Sequence, residues 1–188
     1  MSITTVMSEE HNLILDVLEA LEIETTRLEQ GGNINIDFCR NFIDFVKVYA
    51  DSFHHIKEED ILFKVVRKHE FTKDNIAVKD LLSQHNLGRT YIEQLKVAVE
   101  NHNKSDYLIN AKAYCDLMTR HIDLEDNVLF PLIEAALPED IQEQIITDFV
   151  KSDEEKFPKK LKEKYFSVAC SLRKQVGLKI KPKSSTSK

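Results

Sequence analysis

Two segments of the chain repeat one arrangement of histidine, glutamate and apolar residues. Residues 54–63 (HHIKEEDILF) align with residues 121–130 (HIDLEDNVLF), and both match H-x-x-x-E-[ED]-[DN]-[IV]-L-F. A second shared pattern, H-N-L-x5-E-x-L, begins at His11 and again at His85. This order of motifs predicts two helical hairpins of one design. Each hairpin has a histidine on its first helix and an H-x-x-x-E on its second.

Apolar residues recur at helical spacing along almost the whole chain, which predicts an all-α fold. Only 4 Gly and 4 Pro occur in 188 residues, too few for the turns of a β-sandwich or barrel. We expect an antiparallel up-down four-helix bundle with one or two extra C-terminal helices. We also expect Ser8 to cap the first helix and Pro131 to kink or break the fourth. The predicted helices are Ser8–Glu29, Asp37–Lys68, Lys73–Asn101, Ser105–Ala136, a short one from Pro138 through Phe149, and Pro158–Val176.

Charge is distributed unevenly along the chain. Residues 1–150 carry 14 basic and 28 acidic side chains, a net charge of −14, whereas residues 151–188 carry 12 basic and 4 acidic, a net charge of +8. An acidic body repels nucleic acid. The basic segment also carries an apolar stripe, so we expect it to dock on the acidic body. We therefore expect a bundle over residues 1–137, a helical extension packed on it over residues 138–177, and a disordered basic tail over residues 178–188.

The sequence predicts a soluble, cytoplasmic protein. It has no run of 18 apolar residues and no basic region followed by an apolar one at its start, so we expect neither a membrane span nor a secretory signal. The cysteines Cys39, Cys115 and Cys170 are odd in number and far apart, which does not suit a disulfide framework.

The spacing of four residues places the His and Glu of each H-x-x-x-E on one face of a helix, one turn apart. The first pair, His54 and Glu58, lies on an apolar stripe of its helix. His121 and Glu125 lie on another, which we expect to continue to Val128 and Leu132. Both pairs should therefore point inward. An ionised glutamate is costly to bury unless it is paired or bound to a cation.

Buried imidazole and carboxylate groups together suit iron, zinc or manganese. Four histidines and two glutamates would hold two metal ions, each with two histidines, with both carboxylates bridging them. Other pairings of histidine to metal remain open. His55 and Glu59 lie about 100° round the helix from this face, so we expect them to be outer partners of the ligands or exposed.

The motif H…H-x-x-x-E…H…H-x-x-x-E, spread over four successive helices, resembles the hemerythrin family, in particular the bacterial-type hemerythrin-like (HHE cation-binding) domains. The resemblance covers about residues 8–137. It implies a non-heme site of two iron ions, ferrous or ferric with an oxo or hydroxo bridge, that binds dioxygen or related small ligands. The positions that match the family's metal ligands are His11, His54, Glu58, His85, His121 and Glu125.

One position departs from the oxygen-carrying members of that family. They have a second histidine one turn after the ligand on the third helix, where this chain has Arg89. The expected iron near His85 and His121 is then one nitrogen short, which favours reactivity over reversible carriage of dioxygen. Arg89 could pair with a bridging carboxylate or a metal-bound anion.

Three functions are consistent with these patterns. The first is a module that binds or senses dioxygen, nitric oxide or peroxide. The second is a di-iron enzyme that removes peroxide or supplies iron for the repair of iron–sulfur clusters. The third is an interaction protein that uses the basic C-terminal helix. We expect a small diatomic or peroxide ligand, no membrane partner, and no nucleic acid partner.

Overall fold

The computed structural model describes residues 2–69 and 76–179, and all regular structure in this part of the chain is helical. Six helices form an all-α bundle with additional C-terminal helices, as predicted. Helix α2 is a continuous run of Ile36–Phe45, Val46–His54, residues 55–56, Lys57–Leu62 and Phe63–Lys68. Helix α4 comprises Lys104–Leu124, Glu125–Leu129 and Phe130–Ala136. The others are α1 (Ile3–Glu29), α3 (Ile76–Glu100), α5 (Glu139–Lys156) and α6 (Leu161–Gln175).

Helix α1 begins one and a half turns earlier than its predicted start. The side chain of Ser2 accepts a hydrogen bond from the backbone N–H of Thr5 and caps the helix. Ser8 lies inside the helix, so the prediction that it is the N-cap is wrong. Its hydroxyl instead donates to Asp126 Oδ1 at 2.6 Å. The helix ends at Glu29, and Gly31 just beyond it has a φ of +102°, which suits glycine.

Helices α2 and α4 contain π-helical turns where the repeated motifs lie. The backbone N–H of His55 donates to Ala50, that of Phe63 to Glu58, and that of Phe130 to Glu125, in each case five residues back. These wider turns change the direction of the side chains that follow, and they recur at functional sites in proteins.

The π-helical turn in α4 overturns one expectation about the end of that helix. The turn Glu125–Leu129 interrupts the regular α-helix just before Pro131, and the helix continues to Ala136 without a break. Val128 and Leu132 are 55% and 50% exposed, whereas Leu129 and Ile133 are buried. The predicted stripe assumed regular α-helical rotation, and the wider turn shifts the buried face by one residue.

The apolar core is divided into two clusters that lie on either side of a polar layer. On α1, Met7 belongs to one cluster and Ile14 to the other, and the buried residues Glu10 and His11 lie between them. Polar side chains at this depth are surrounded by apolar packing that excludes water.

Both C-terminal helices pack on the bundle. Helix α5 contributes Ile145 and Phe149 to one apolar cluster, and α6 joins the other along α1 and α2. The buried guanidinium of Arg173 lies 2.6 Å from Glu19 and 3.2 Å from Asp16 on α1. The basic α6 therefore docks on acidic residues of the bundle. The predicted disordered tail falls mostly on residues 180–188, which lie outside the described residues.

No helix in the described ranges combines the length and the apolar character needed to cross a bilayer.

Candidate metal centre

Four helices bring the six predicted ligand residues together in the polar layer. Helices α1 and α3 each contribute one histidine, and α2 and α4 each contribute the histidine and glutamate of an H-x-x-x-E motif. All six side chains are almost completely buried. They are His11, His54, Glu58, His85, His121 and Glu125.

These side chains form two adjoining groups whose ligand atoms lie within 4.8 Å of one another. Glu58 belongs to both groups, because one of its oxygens lies 3.3 Å from His54 Nε2 and the other 3.4 Å from His85 Nε2. Oε2 of Glu125 lies 3.1 Å from His121 Nε2 and 3.4 Å from His11 Nε2. Both carboxylates thus span the two groups. The first group is His11, His54, Glu58 and Glu125, and the second is His55, Glu58, His85 and His121.

His55 was not among the predicted ligands, yet it belongs to the second group. The imidazole is only 5% exposed and stacks on His85 with ring centroids 3.7 Å apart. The expectation that His55 faces away from the ligand face is therefore wrong. The π-helical turn that ends at His54 places more than four residues in one turn, so neighbouring side chains can both reach the interior.

Five buried polar atoms in this layer have no hydrogen-bond partner among the described residues: the four carboxylate oxygens of Glu58 and Glu125, and Nε2 of His55. Buried polar atoms are rarely left without a partner unless an ion or water completes them. Burial and the charge of Glu58 raise the pKa of Glu125 well above its usual value. A divalent cation between the carboxylates would remove this repulsion, so the residues present fit a metal ion.

The outward ring nitrogens of the α1 and α3 histidines follow the sequence repeat. His11 Nδ1 donates to Asp126 at 2.8 Å, and His85 Nδ1 donates to Glu59 at 2.7 Å. Each acceptor directly follows the glutamate of the opposite hairpin's motif. Glu59 is therefore an outer partner of a candidate ligand, one of the two roles expected for it. Such bonds fix the ring and direct Nε2 toward a metal.

The outward nitrogens of the α2 and α4 histidines also have matched partners. His54 Nδ1 donates to Glu10 at 3.2 Å, and His121 Nδ1 donates to Gln84 at 3.0 Å. Each partner directly precedes the histidine of its own hairpin's first helix. The sequence analysis missed both residues, although extending the H-N-L repeat by one position would have aligned them.

The two histidines of the H-x-x-x-E motifs differ in how strongly they hold a proton. Burial opposes a charge on His54, but Glu58 and Glu10 outweigh it and raise its pKa to about 9. Burial lowers the pKa of His121 to about 2; Glu58 opposes this effect and the neighbouring histidines add to it. A proton is therefore bound more strongly at His54 than at His121.

The guanidinium of Arg89 does not pair with Glu58 or Glu125. Its guanidinium lies 2.7 Å from Asp51 and 2.7 Å from Glu59, which in turn accept from the Nδ1 atoms of His55 and His85. The expected pairing with a bridging carboxylate is therefore wrong. Arg89 instead holds the two acceptors behind the second group.

A cavity of about 50 Å³ adjoins the second group. His55 and His85 form its inner wall, and Arg89, which is 37% exposed, lies at its outer edge. Its other walls are mainly apolar and include Gly88, Ile92, Tyr114 and Met118. Since one water occupies about 30 Å³ in the liquid, this space suits only a very small molecule.

The sequence profile of the Hemerythrin HHE cation binding domain matches residues 2–133. No curated protein and no solved structure gives a significant match to the chain.

Proposed function

The chain belongs to the hemerythrin HHE cation-binding family, and on this basis we propose that it holds two iron ions and uses them to bind or sense a small ligand. One observation carries the proposal. Glu58 and Glu125 are fully buried, have no hydrogen-bond partner among the described residues, and each lies close to histidines of both groups.

We assign His11 and His54 to one ion and His55, His85 and His121 to the other. Glu58 and Glu125, which lie close to histidines of both groups, would supply carboxylate ligands to the pair. His55 supplies the nitrogen that the departure at Arg89 had left missing from the second group. An ion held near His11 and His54 would then have fewer nitrogen ligands than its neighbour.

The proposed ligand is dioxygen, nitric oxide or peroxide. When bound, ferrous iron supplies an open coordination position and electrons for such molecules. The protein supplies the setting: the two apolar clusters exclude water from the polar layer. The cavity beside His55 and His85 adjoins the second group and has room for a ligand of a few atoms.

A reducing compartment such as the cytoplasm suits this function. Cys39 and Cys115 are buried free thiols. Ferrous iron and free thiols both persist where the surroundings are reducing.

The test is to load the protein with ferrous iron without oxygen and measure its metal content and absorption spectrum before and after exposure to air. We expect two irons per chain and new near-ultraviolet bands. Glu125→Gln should lose both. The control Asp123→Asn, which changes an exposed carboxylate on the same helix, should keep them.

Titration with nitric oxide and with peroxide then separates the candidate functions. Stoichiometric binding without turnover supports binding or sensing. Peroxide consumption faster than that of free iron would favour the enzyme instead. Iron content below one ion per chain, or retention of zinc alone, would contradict the di-iron proposal.

A further inference from the structure

The two hairpins differ in the surroundings of His54 and His121. Glu10, a carboxylate, accepts from His54, whereas its repeat counterpart, the neutral Gln84, accepts from His121. Lys57 follows His54 by three residues and is only 1% exposed. The equivalent position after His121 is a leucine. The repeat thus has a buried ion pair on the His54 side alone.

Lys57 is held in place by several groups. Its Nζ lies 3.1 and 3.2 Å from the two oxygens of Glu10, 3.3 Å from the carbonyl oxygen of Phe53, and 3.3 Å from the centre of the Phe53 ring. A buried ammonium group needs such partners, because its desolvation is otherwise too costly.

The C-terminal extension completes this cluster. Asp153 on α5 lies 2.8 Å from Lys57 Nζ. Lys162 on α6 lies 3.2 Å from Glu10 Oε1 and 3.3 Å from Asp153 Oδ2. The two acidic and two basic groups alternate in contact, so their formal charges cancel. Both Asp153 and Lys162 lie beyond residues 2–133, the range that matches the family.

We propose that Asp153 and Lys162 are positioning residues for His54. They hold the Lys57–Glu10 pair, and Glu10 fixes the ring of His54 so that its Nε2 points into the metal centre. Docking of α5 and α6 and metal binding by the first group therefore stabilise each other, as any two coupled events must. The inference rests on the proposed function in one respect, the role of His54 as a ligand.

Asp153→Asn should disturb this arrangement without creating a cavity. Lys57 and Lys162 would then share the single carboxylate of Glu10, which weakens its bond to His54. Outer partners of metal ligands typically contribute 10–100-fold in metal affinity. Because Asp153 acts through two further residues, we expect the affinity of one of the two metal ions to fall about tenfold, the lower end of that range.

The matched control is Asp44→Asn. Asp44 accepts from Tyr165 on α6 at 2.9 Å, but it is 52% exposed and has no contact with Glu10. Affinity for Zn²⁺ alone is measured by competition with a chromophoric chelator. We expect Asp44→Asn to bind Zn²⁺ as tightly as the wild type. Asp153→Glu, which keeps the negative charge, should retain most of the affinity that Asp153→Asn loses.

A second experiment gives the first hairpin the residues that the second hairpin has at the equivalent positions. In the double variant Glu10→Gln with Lys57→Leu, the link from the extension to His54 is gone. Adding Asp153→Asn to this background should then change metal affinity no further. An undiminished effect there, or an equal loss in Asp44→Asn, would overturn the proposal, with circular dichroism as the check on folding.

The metal-free protein provides an independent readout. Nitrogen-15 NMR of the histidine side chains reports whether His54 Nδ1 keeps its proton hydrogen-bonded to Glu10. We expect this resonance to shift in Asp153→Asn and not in Asp44→Asn, and no shift in either would overturn the inference. If the wild type binds no metal, the proposed function fails, whereas this measurement still decides the positioning role.

Discussion

Each candidate histidine ligand uses its two ring nitrogens for different purposes. Nε2 points into the centre of the bundle, and Nδ1 bonds a carboxylate or amide outside it, as with Asp126 behind His11 and Asp51 behind His55. The partner strengthens the imidazole as a ligand and fixes its tautomer. His55 has this same arrangement, which is the reason for assigning it to the centre.

The first residue-scale prediction concerns His55. We expect His55→Ala to weaken binding of one of two Zn²⁺ ions by at least about tenfold, because it removes a nitrogen from the second group. The control His69→Ala changes an exposed histidine and should have no effect. Isothermal titration calorimetry measures both. Two unchanged binding events in His55→Ala would contradict its assignment as a ligand.

The second concerns pH. The pKa of His54 in the metal-free protein is about 9, so below that pH a metal ion must displace its proton. Displacement of this one proton should make affinity rise by up to about tenfold per pH unit between pH 6 and 8, and the rise should level off as the pH passes 9. Chelator competition at several pH values measures the slope.

Glu10→Gln provides the comparison for this pH dependence. The Glu10 carboxylate is one of the groups that raise the pKa of His54. Its replacement by an amide should move the point at which affinity levels off to a lower pH. An identical profile in the variant would show that Glu10 does not control this proton.

At the scale of elements, the π-helical turns decide which residues reach the centre. In a regular α-helix, successive side chains are separated by 100°, so His54 and His55 could not both face the same point. The five-residue hydrogen bond from His55 to Ala50 narrows that separation. The repeated motifs supply the side chains, and the π-helical turns within them direct those side chains toward the centre.

Gly88 on α3 gives a prediction for the cavity. A Cβ there would lie 3.5 Å from Met118 and from Tyr114, which is ordinary van der Waals contact. We expect Gly88→Ala to stabilise the protein by about 0.5–1 kcal/mol, since alanine is the better helix former. It should also fill part of the cavity and slow nitric oxide association with the iron-loaded protein.

Two measurements test this pair of effects. Urea denaturation gives the free energy of unfolding, and stopped-flow mixing gives the association rate. A more stable variant with an unchanged rate would mean that ligands reach the metals by another route.

At the scale of the whole molecule, the buried polar layer lowers the stability of the folded protein, and metal binding offsets this loss. Glu58 and Glu125 leave four oxygens without hydrogen-bond partners among the described residues, between two apolar clusters. A ligand that binds only the folded state at 100 times its Kd stabilises it by about 2.7 kcal/mol. For a domain of this size, we expect Zn²⁺ loading to raise Tm by about 5–10 °C.

Differential scanning calorimetry with and without Zn²⁺ measures this shift, with Glu125→Gln as the comparison. The variant should gain less from the metal, because it lacks one bridging carboxylate. An equal gain in both proteins would locate the stabilising metal elsewhere.

Much of the architecture and of the centre was predictable from the spacing of residues along the sequence. The long helices were expected within a few residues of their observed limits, because apolar spacing reports a helix directly. His54 with Glu58, and His121 with Glu125, were paired correctly because a spacing of four places both side chains on one face. The family assignment rested on the same motifs and is confirmed by the profile match.

Other features depended on contacts between helices. The sequence by itself determined the helices, the repeat and the side of its helix on which each H-x-x-x-E pair lies, since these follow from rotation along a single helix. Only the tertiary structure decided that His55 turns inward, that Arg89 supports Asp51 and Glu59, and that Asp153 reaches Lys57. The physical reason is that such pairings depend on the rotation and register of packed helices, which no single helix's sequence contains.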